Sequence, residues 1–224
     1  MPIQKRYFRS ISRDPEFLLD AKAKTWIPPE NLRDFSALFE NMGESIESGY
    51  HDFVKKSRFD WILRLDSDEI LTRSGFRFLE ENAFEPDTVV GFLRYQVIGI
   101  NGEFRVLDHP EFEPQNHIQY RFFSRTFGSF GSQYIHNPGF DLSERKLVLA
   151  PSDCAIYHLD FVLRNHARRV LKMEHYLSLG QPPVMNIMQL GPEQVKFSNK
   201  IIDKEIMKFL KRNKSLINGI QNAF

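Results

Sequence analysis

Apolar residues recur along the chain in two different patterns, which predict strands in some segments and helices in others. Compact apolar or aromatic runs predict strands at "DWILRL" (60–65), "TVVGFLRYQVIGI" (88–100), "EFRVL" (103–107), "IQYRFFSR" (118–125), "KLVLAP" (146–151) and "CAIYHL" (154–159). The dipeptide "NG" at 101–102 predicts a hairpin between the second and third of these strands. Apolar residues at helical spacing predict helices within 31–56, at 75–84, from Phe161 onward and at about 193–212.

These elements together predict an α/β protein, with a central mixed sheet flanked by helices and a helical extension at the C-terminus. The segment "GQPPV" at 180–184 contains a glycine and two prolines, which interrupt regular structure. We therefore expect one domain at 1–180, followed by a basic helical extension at 181–224.

Composition narrows the possible classes of protein. Hydrophobic residues make up 42% of the 224 residues, which is enough for a substantial core, and the formal net charge is only +1. A chain this close to neutrality is not expected to bind nucleic acid through its overall charge. The single cysteine, Cys154, excludes an intrachain disulfide framework, and "MPIQKRYFRSISRD" lacks the apolar core of a signal peptide. These features predict a soluble cytoplasmic protein.

Three acidic residues, Asp66, Asp68 and Glu69, directly follow the first apolar strand. Adjacent carboxylates repel one another, so this arrangement costs stability unless a positive charge lies nearby. In α/β sheets ligands collect at the carboxyl ends of strands, and paired carboxylates suit Mg²⁺ or Mn²⁺, which in turn binds a diphosphate. The pattern therefore predicts a divalent-cation site. The alternative is a solvated turn in which an aspartate caps the next helix.

Four segments of the chain, in the same order, resemble those of family 2 glycosyltransferases. "DWILRLDSDEIL" (60–71) is similar to the strand and Asp-x-Asp element of that family, and "YRFFSR" (120–125) is similar to its Arg-x-Phe-x-Arg strand. "GSQYIHNPG" (131–139) resembles its Gly-x-x-x-His loop, and "AIYHLDFVLRNHARRVLKMEHYL" (155–177) resembles its Ile-x-His segment and the helix that follows. The resemblance covers about residues 50–178, which is most of the chain.

The resemblance implies a GT-A-like (Rossmann-like) fold and the inverting transfer of a sugar from a nucleotide-sugar, such as a UDP-sugar, to a saccharide or lipid-linked acceptor. By their positions in the family's motifs, Asp68 and His158 are expected to bind Mn²⁺ or Mg²⁺, and Asp66 is expected to lie at the metal or at the ribose of the donor. Basic residues after the histidine are expected to contact the phosphates of the donor, namely Arg164, Arg168 and Lys172.

The loop histidine, His136, is expected on the acceptor side of this site. Many relatives place an acid directly after this histidine, where this chain has Asn137, so the general base is expected elsewhere. Asp141 and Glu144 are both close in sequence, and Asp141 is the better candidate because it lies closer to His136. Only 65 residues precede Asp66, which predicts a shortened nucleotide-binding part at the N-terminus.

Other functions also fit the sequence. A shortened N-terminal part and a displaced base fit a catalytically inactive or partial GT-A fold that binds a nucleotide or a partner. A phosphatase of the haloacid dehalogenase type also ends an apolar strand in Asp-x-Asp, but it would need Thr or Val where this chain has Ile70. The lysine-rich face of the last predicted helix fits a solvated surface or a peripheral contact with an anionic membrane. A shortened nucleotide-binding part would also fit a homo-oligomer, in which another chain supplies the rest of the nucleotide pocket.

Overall fold

The computed structural model describes residues 8–11, 60–66, 68–100, 103–126, 142, 145–167, 169–171, 174, 196–215 and 217 of the chain. These residues form a mixed α/β fold with one large mixed sheet and a few helices. The predicted α/β class and its mixed sheet are therefore confirmed. The helix predicted within 31–56 lies outside the described residues.

The described residues contribute nine strands to the sheet. These are β1 (Phe8–Ile11), β2 (Trp61–Asp66), β3 (Glu69–Leu71), β4 (Thr88–Ile100), β5 (Glu103–Asp108), β6 (Ile118–Ser124), β7 (Lys146–Leu149), β8 (Ala155–Leu159) and β9 (Lys196–Phe197). The helices with defined bounds are α1 (Arg73–Glu81), α2 (Asp160–Leu163) and α3 (Lys204–Arg212). Two short 3₁₀ turns, Pro110–Phe112 and Pro114–Asn116, lie between β5 and β6.

The longest of these strands, β4, has 13 residues and pairs with four others. It pairs antiparallel with β5 and β6, and parallel with β7 and β8. β2 pairs antiparallel with β6 and parallel with β1, and β3 pairs antiparallel with β8. β2, β4 and β8 therefore run in the same direction, and the carboxyl ends of β2 and β8 lie at the same edge of the sheet.

Helices cover both faces of this sheet. Alternate residues of β8 point to opposite faces, as the two-residue period of a strand requires. Ile156 belongs to one buried cluster together with Leu79 of α1, whereas Tyr157 belongs to another together with Leu210 of α3. The C-terminal helix is thus packed on the sheet through its apolar side.

Most of the predicted elements are present, with shifted boundaries. The predicted hairpin is confirmed, because β4 and β5 pair from Val97 with Val106 to Ile100 with Glu103. The helix predicted at 75–84 is α1, which spans Arg73–Glu81. The helix predicted from Phe161 onward is interrupted, since α2 ends at residue 163 and helical structure resumes at 166.

The C-terminal helix is shorter than the sequence predicts. α3 begins at Lys204 because Asp203 caps it: Asp203 Oδ1 accepts hydrogen bonds from the backbone N–H groups of Glu205 and Ile206. Residues 196–197 instead form β9, whose backbone pairs with β5. The prediction of a continuous helix over 193–212 is therefore wrong between 196 and 203. None of the helices in the described part of the chain is long and apolar enough to cross a membrane.

Candidate functional site

The three acids lie in a tight connection between β2 and β3. The backbone N–H of Leu159, at the end of β8, donates to the carbonyl oxygen of Asp68 (2.7 Å), which holds this connection against β8. Glu69 is the register partner of His158, and His158 is the register partner of Gln96. Register partners on neighbouring strands project from the same face of a sheet. Glu69, His158 and Gln96 therefore form a row across β3, β8 and β4.

Two of the acids are joined by one arginine from β6. Arg121 Nη2 donates to Asp66 Oδ2 and to Glu69 Oε1, both at 2.7 Å. The second oxygen of the glutamate, Glu69 Oε2, accepts from the backbone N–H of Asp66 (3.1 Å). Because the Glu69 side chain is 0% exposed, these bonds are what stabilise its charge inside the protein. Glu69 is a structural part of the connection, and the cap of α1 is Thr72.

The pairing of β6 with β4 is irregular at Arg121. Val90 of β4 pairs with Phe122, but the next residue, Gly91, pairs with Tyr120, so Arg121 is left out of the register. A bulge of this kind redirects a side chain and is common beside functional sites. The strands approach so closely here that a Cβ atom on Gly91 would lie 2.9 Å from Tyr120 Cε1.

Further arginines lie beside the same two acids. Arg94 Nη1 is 3.9 Å from Glu69 Oε1, and Arg64 Nε is 3.7 Å from Asp66 Oδ1. Burial alone would raise the pKa of Asp66, but Arg121 and Arg64 outweigh it, so the pKa of this carboxyl group lies below its ordinary value. The positive charge that the sequence leads us to expect at these two acids is thus supplied by arginine side chains of β2, β4 and β6.

Asp68 has a different set of partners. Its Oδ2 atom lies 3.4 Å from His158 Nε2 and 3.2 Å from Arg164 Nη1. Arg164 Nη1 also contacts Asp160 Oδ1, one helical turn earlier in the chain. One imidazole and one guanidinium group, both from the segment that begins at the end of β8, therefore flank the Asp68 carboxylate.

The His158 side chain is 15% exposed, and both of its ring nitrogens have polar neighbours. Nδ1 lies 2.6 Å from Gln96 Oε1, while Nε2 faces Asp68. Burial lowers the pKa of His158 below its ordinary value, although the Asp68 carboxylate opposes this effect. The neutral imidazole is the form that binds metal ions, so a lowered pKa favours metal binding.

The Asp68–His158 pair fits a divalent cation. An ion with bonds of about 2.1 Å to an oxygen and a nitrogen holds these two atoms about 3.0–3.4 Å apart in octahedral or tetrahedral coordination. The observed separation is 3.4 Å. Mg²⁺ usually takes only one or two protein carboxylates and completes its shell with water and substrate phosphates. Within the described ranges no group of three or more His, Cys, Asp or Glu side chains could hold a metal, so these two donors would form the protein's share.

The structure brings together four of the residues that the sequence predicts for the site: Asp66, Asp68, His158 and Arg164. Asp66, however, binds Arg121 and does not join Asp68 and His158 as a third ligand within the described part of the chain. Arg164 contacts acidic side chains. The other predicted site residues lie outside the described residues, namely His136, Asp141, Arg168, Lys172 and the alternative base Glu144.

Sequence reasoning does not single out the arginines beside the acids, Arg64, Arg94 and Arg121, nor Gln96, which contacts His158. The strand pattern of β6 gives no sign of the bulge at Arg121, because the bulge depends on pairing with β4. Gln96 is an uncharged polar residue in the apolar run "YQVIGI", and such a residue inside a buried strand is a signal that could have identified it. No protein-family model matches the chain, and no curated protein matches it with significant sequence similarity.

Proposed function

We propose that this chain is a metal-dependent glycosyltransferase with a GT-A-like fold, which transfers a sugar with inversion from a nucleotide-sugar to a saccharide or lipid-linked acceptor. The observation that carries the proposal is the 3.4 Å approach of Asp68 Oδ2 to Nε2 of His158, beside the carboxyl end of β2. Ligands of α/β sheets collect at such strand ends. A bound Mn²⁺ or Mg²⁺ would supply positive charge to the diphosphate leaving group.

Each residue of the site has a separate task under this proposal. Asp68 and His158 hold the ion. Arg164, which is partly exposed beside Asp68, offers N–H groups to the phosphates of the donor. Asp66 is 40% exposed and stays ionised, so it can accept hydrogen bonds from hydroxyl groups of the ribose. Arg121 holds the connection between β2 and β3 in the conformation in which Asp66 faces Arg121 and Asp68 faces His158.

Thermal denaturation with nucleoside diphosphates tests the proposal. We expect UDP or another nucleoside diphosphate to raise the Tm of the chain with Mn²⁺ and not without it, because a ligand that binds only the folded state stabilises that state. At a ligand concentration of about 100 times Kd, the gain is about 2.7 kcal/mol, or roughly 5–11 °C for a chain of this size. If no nucleoside diphosphate shifts the Tm with any divalent ion, the proposal fails.

A matched pair of variants locates the effect. Asp68→Asn removes one predicted ligand while it preserves the shape of the side chain, and it should abolish the metal-dependent shift. Asp60→Asn removes an exposed carboxylate at the other end of β2, and it should leave the shift unchanged. A shift that survives Asp68→Asn would place nucleotide binding away from the acids.

A nucleotide-binding protein without turnover is the second candidate. The observation that favours it is the charge balance of the site, since arginines accompany all three acids of the connection between β2 and β3. Slow hydrolysis of the nucleotide-sugar separates the two candidates. The transferase should release free sugar with Mn²⁺ and lose this activity in Asp68→Asn, whereas the binding protein should show the Tm shift without hydrolysis.

The outward face of α3 supports a further component of the proposal, a peripheral contact with an anionic membrane. The apolar side of the helix, which includes Ile206 and Leu210, packs in the same buried cluster as Tyr157 of β8. Ile201, just before the helix, is 85% exposed. The exposed side chains that follow are mostly basic and include Lys204, Lys208, Lys211, Arg212 and Lys214. Each basic residue near an anionic lipid surface contributes about 1 kcal/mol to binding.

Sedimentation with phospholipid vesicles tests this contact. We expect the chain to bind vesicles that contain anionic phospholipid and not vesicles of neutral phospholipid alone. Lys208→Glu should weaken binding roughly tenfold or more, because it replaces an attraction by a repulsion. Arg77→Glu makes the same charge reversal at an exposed position of α1 and should have little effect. Equal losses in the two variants, or no binding to anionic vesicles, would exclude α3 as the contact.

A further inference from the structure

Gln96 is a buried amide in the middle of β4, and its position makes it a neighbour of His158. The residue is 2% exposed, and it is the register partner of His158. The residues on either side of it, Tyr95 and Val97, belong to a buried apolar cluster. A buried amide costs stability unless its nitrogen and oxygen are both hydrogen-bonded. The partners of this amide therefore indicate what it does.

The Gln96 amide is fixed in one orientation. Nε2 donates to the backbone carbonyl oxygens of His158 (3.3 Å) and Val97 (3.4 Å). A carbonyl oxygen accepts and cannot donate, so exchanging Nε2 and Oε1 would bring three acceptor oxygens together. Oε1 is consequently held toward the ring of His158, at 2.6 Å from Nδ1.

This orientation determines which nitrogen of His158 carries the proton. Gln96 Oε1 can only accept, so Nδ1 must donate, and a neutral imidazole then has its lone pair on Nε2. In this neutral form Nε2 and Asp68 Oδ2, which lie 3.4 Å apart, are both acceptors, and a cation can bridge the gap between them. We infer that Gln96 is a positioning residue that holds His158 in the Nδ1–H tautomer and thereby makes the His158–Asp68 pair a receptor for a divalent cation. The receptor part of this inference rests on the proposed function, whereas the tautomer does not.

Removing the acceptor at Gln96 should reverse the tautomer. With no partner for Nδ1, the ring proton moves to Nε2, from which it donates to Asp68 Oδ2, and the lone pair is lost from the metal side. Gln96→Met makes this change with an unbranched side chain of similar size. Gln96→Glu keeps an oxygen that accepts from Nδ1, so Nδ1 should stay protonated, although the second carboxyl oxygen can bond to the two backbone carbonyl groups only when it carries a proton.

Nitrogen NMR of protein labelled with nitrogen-15 in its histidines reads the tautomer directly, without metal and without activity. The chain has seven histidines, and the signals that disappear in His158→Gln identify those of interest. We expect Nδ1 to be protonated in the unaltered protein and in Gln96→Glu, and Nε2 to be protonated in Gln96→Met. The control is Thr88→Val, which removes a buried polar group from the same strand, away from His158, and should change neither nitrogen.

Titration with Mn²⁺, followed by electron paramagnetic resonance, measures the consequence for metal binding. Gln96→Met should weaken Mn²⁺ binding by about 10–100-fold, as is typical of residues that orient a metal ligand, while Thr88→Val should not. A protonated Nε2 in the unaltered protein, or an unchanged tautomer in Gln96→Met, would overturn the inference. If Gln96→Met does not fold, the unaltered protein and Gln96→Glu still decide it. The predicted tautomers without Mn²⁺ binding would support the role of Gln96 and refute the metal-dependent function.

Discussion

Replacing Arg121 by methionine should destabilise the protein strongly, because the change leaves a buried carboxylate without its main partner. Arg121 Nη2 lies 2.7 Å from both Asp66 Oδ2 and Glu69 Oε1. At an effective dielectric constant of about 20, each contact corresponds to about 6 kcal/mol of Coulomb energy, and the cost of removing the charges from water offsets most of it. Removing one partner of a buried ion pair costs about 3–5 kcal/mol. Most of this loss should come from Glu69, since Asp66 is partly exposed and can be hydrated.

Urea-induced unfolding at neutral pH measures the loss as a change in the free energy of unfolding. For a chain of this size, 3–5 kcal/mol corresponds to a Tm that is lower by roughly 6–20 °C. Arg105→Met is the matched control. Arg105 Nη2 forms an ion pair of 3.0 Å with Glu103 Oε2, but the two side chains are 54% and 69% exposed, so its removal should cost about 1 kcal/mol or less.

A second substitution tests whether the cost arises from the stranded charge. Glu69→Gln removes that charge, so the double variant Arg121→Met/Glu69→Gln should be more stable than Arg121→Met alone by roughly 1–3 kcal/mol. Equal losses in Arg121→Met and Arg105→Met would refute the reasoning. Strictly additive losses in the double variant would also refute it, because they would show that Arg121 and Glu69 do not act on each other.

Three smaller effects are expected elsewhere in the fold. Gly91→Ala should lower the free energy of unfolding by about 1–3 kcal/mol, because its Cβ would lie 2.7 Å from Ile118 Cγ2 and 2.9 Å from Tyr120 Cε1; an unchanged value would contradict this close approach. Burial raises the pKa of Tyr157 from 10.0 to about 12. The folded state therefore favours the protonated phenol, which contributes on the order of 2–3 kcal/mol to the free energy of unfolding below pH 10. This contribution is lost as the pH rises through about 12. Alkaline unfolding of Tyr157→Phe should therefore depend less on pH than that of the unaltered protein, and parallel curves would exclude the effect. Asp203→Ala should cost about 0.5–2 kcal/mol through loss of the cap of α3, and urea unfolding that shows no change would rule out this cap.

The hydrophobic pattern predicts the strands that form the candidate site. β2, β4 and β8 coincide with the apolar runs to within about one residue, because a strand buried on both faces requires a nearly continuous apolar sequence. The order of the motifs also leads to the expectation that Asp68 and His158 lie together, and the structure brings them to 3.4 Å. Their approach follows from pairing, since Glu69, the next residue after Asp68, is the register partner of His158.

The parts of the site that sequence reasoning does not reach depend on pairing between distant segments. Arg121 contacts Asp66 and Glu69, which lie 55 and 52 residues before it in the chain, so no pattern within β6 shows these contacts. Gln96 stands 62 residues before His158, so its role emerges only when β4 and β8 lie side by side. The last helix is predicted to start too early for a similar reason, because residues 196–197 form a strand by pairing with the backbone of β5.

The number of residues in β4 is more strongly constrained than the identity of most of its side chains. Its first half takes register from β6 and β7, and its second half takes register from β8 and β5. An inserted or deleted residue between Gly91 and Gln96 would leave one half in place and turn every side chain of the other half to the opposite face. Point substitutions across 88–100 should therefore be tolerated more readily than any change in residue number, and natural length variation should fall outside this segment.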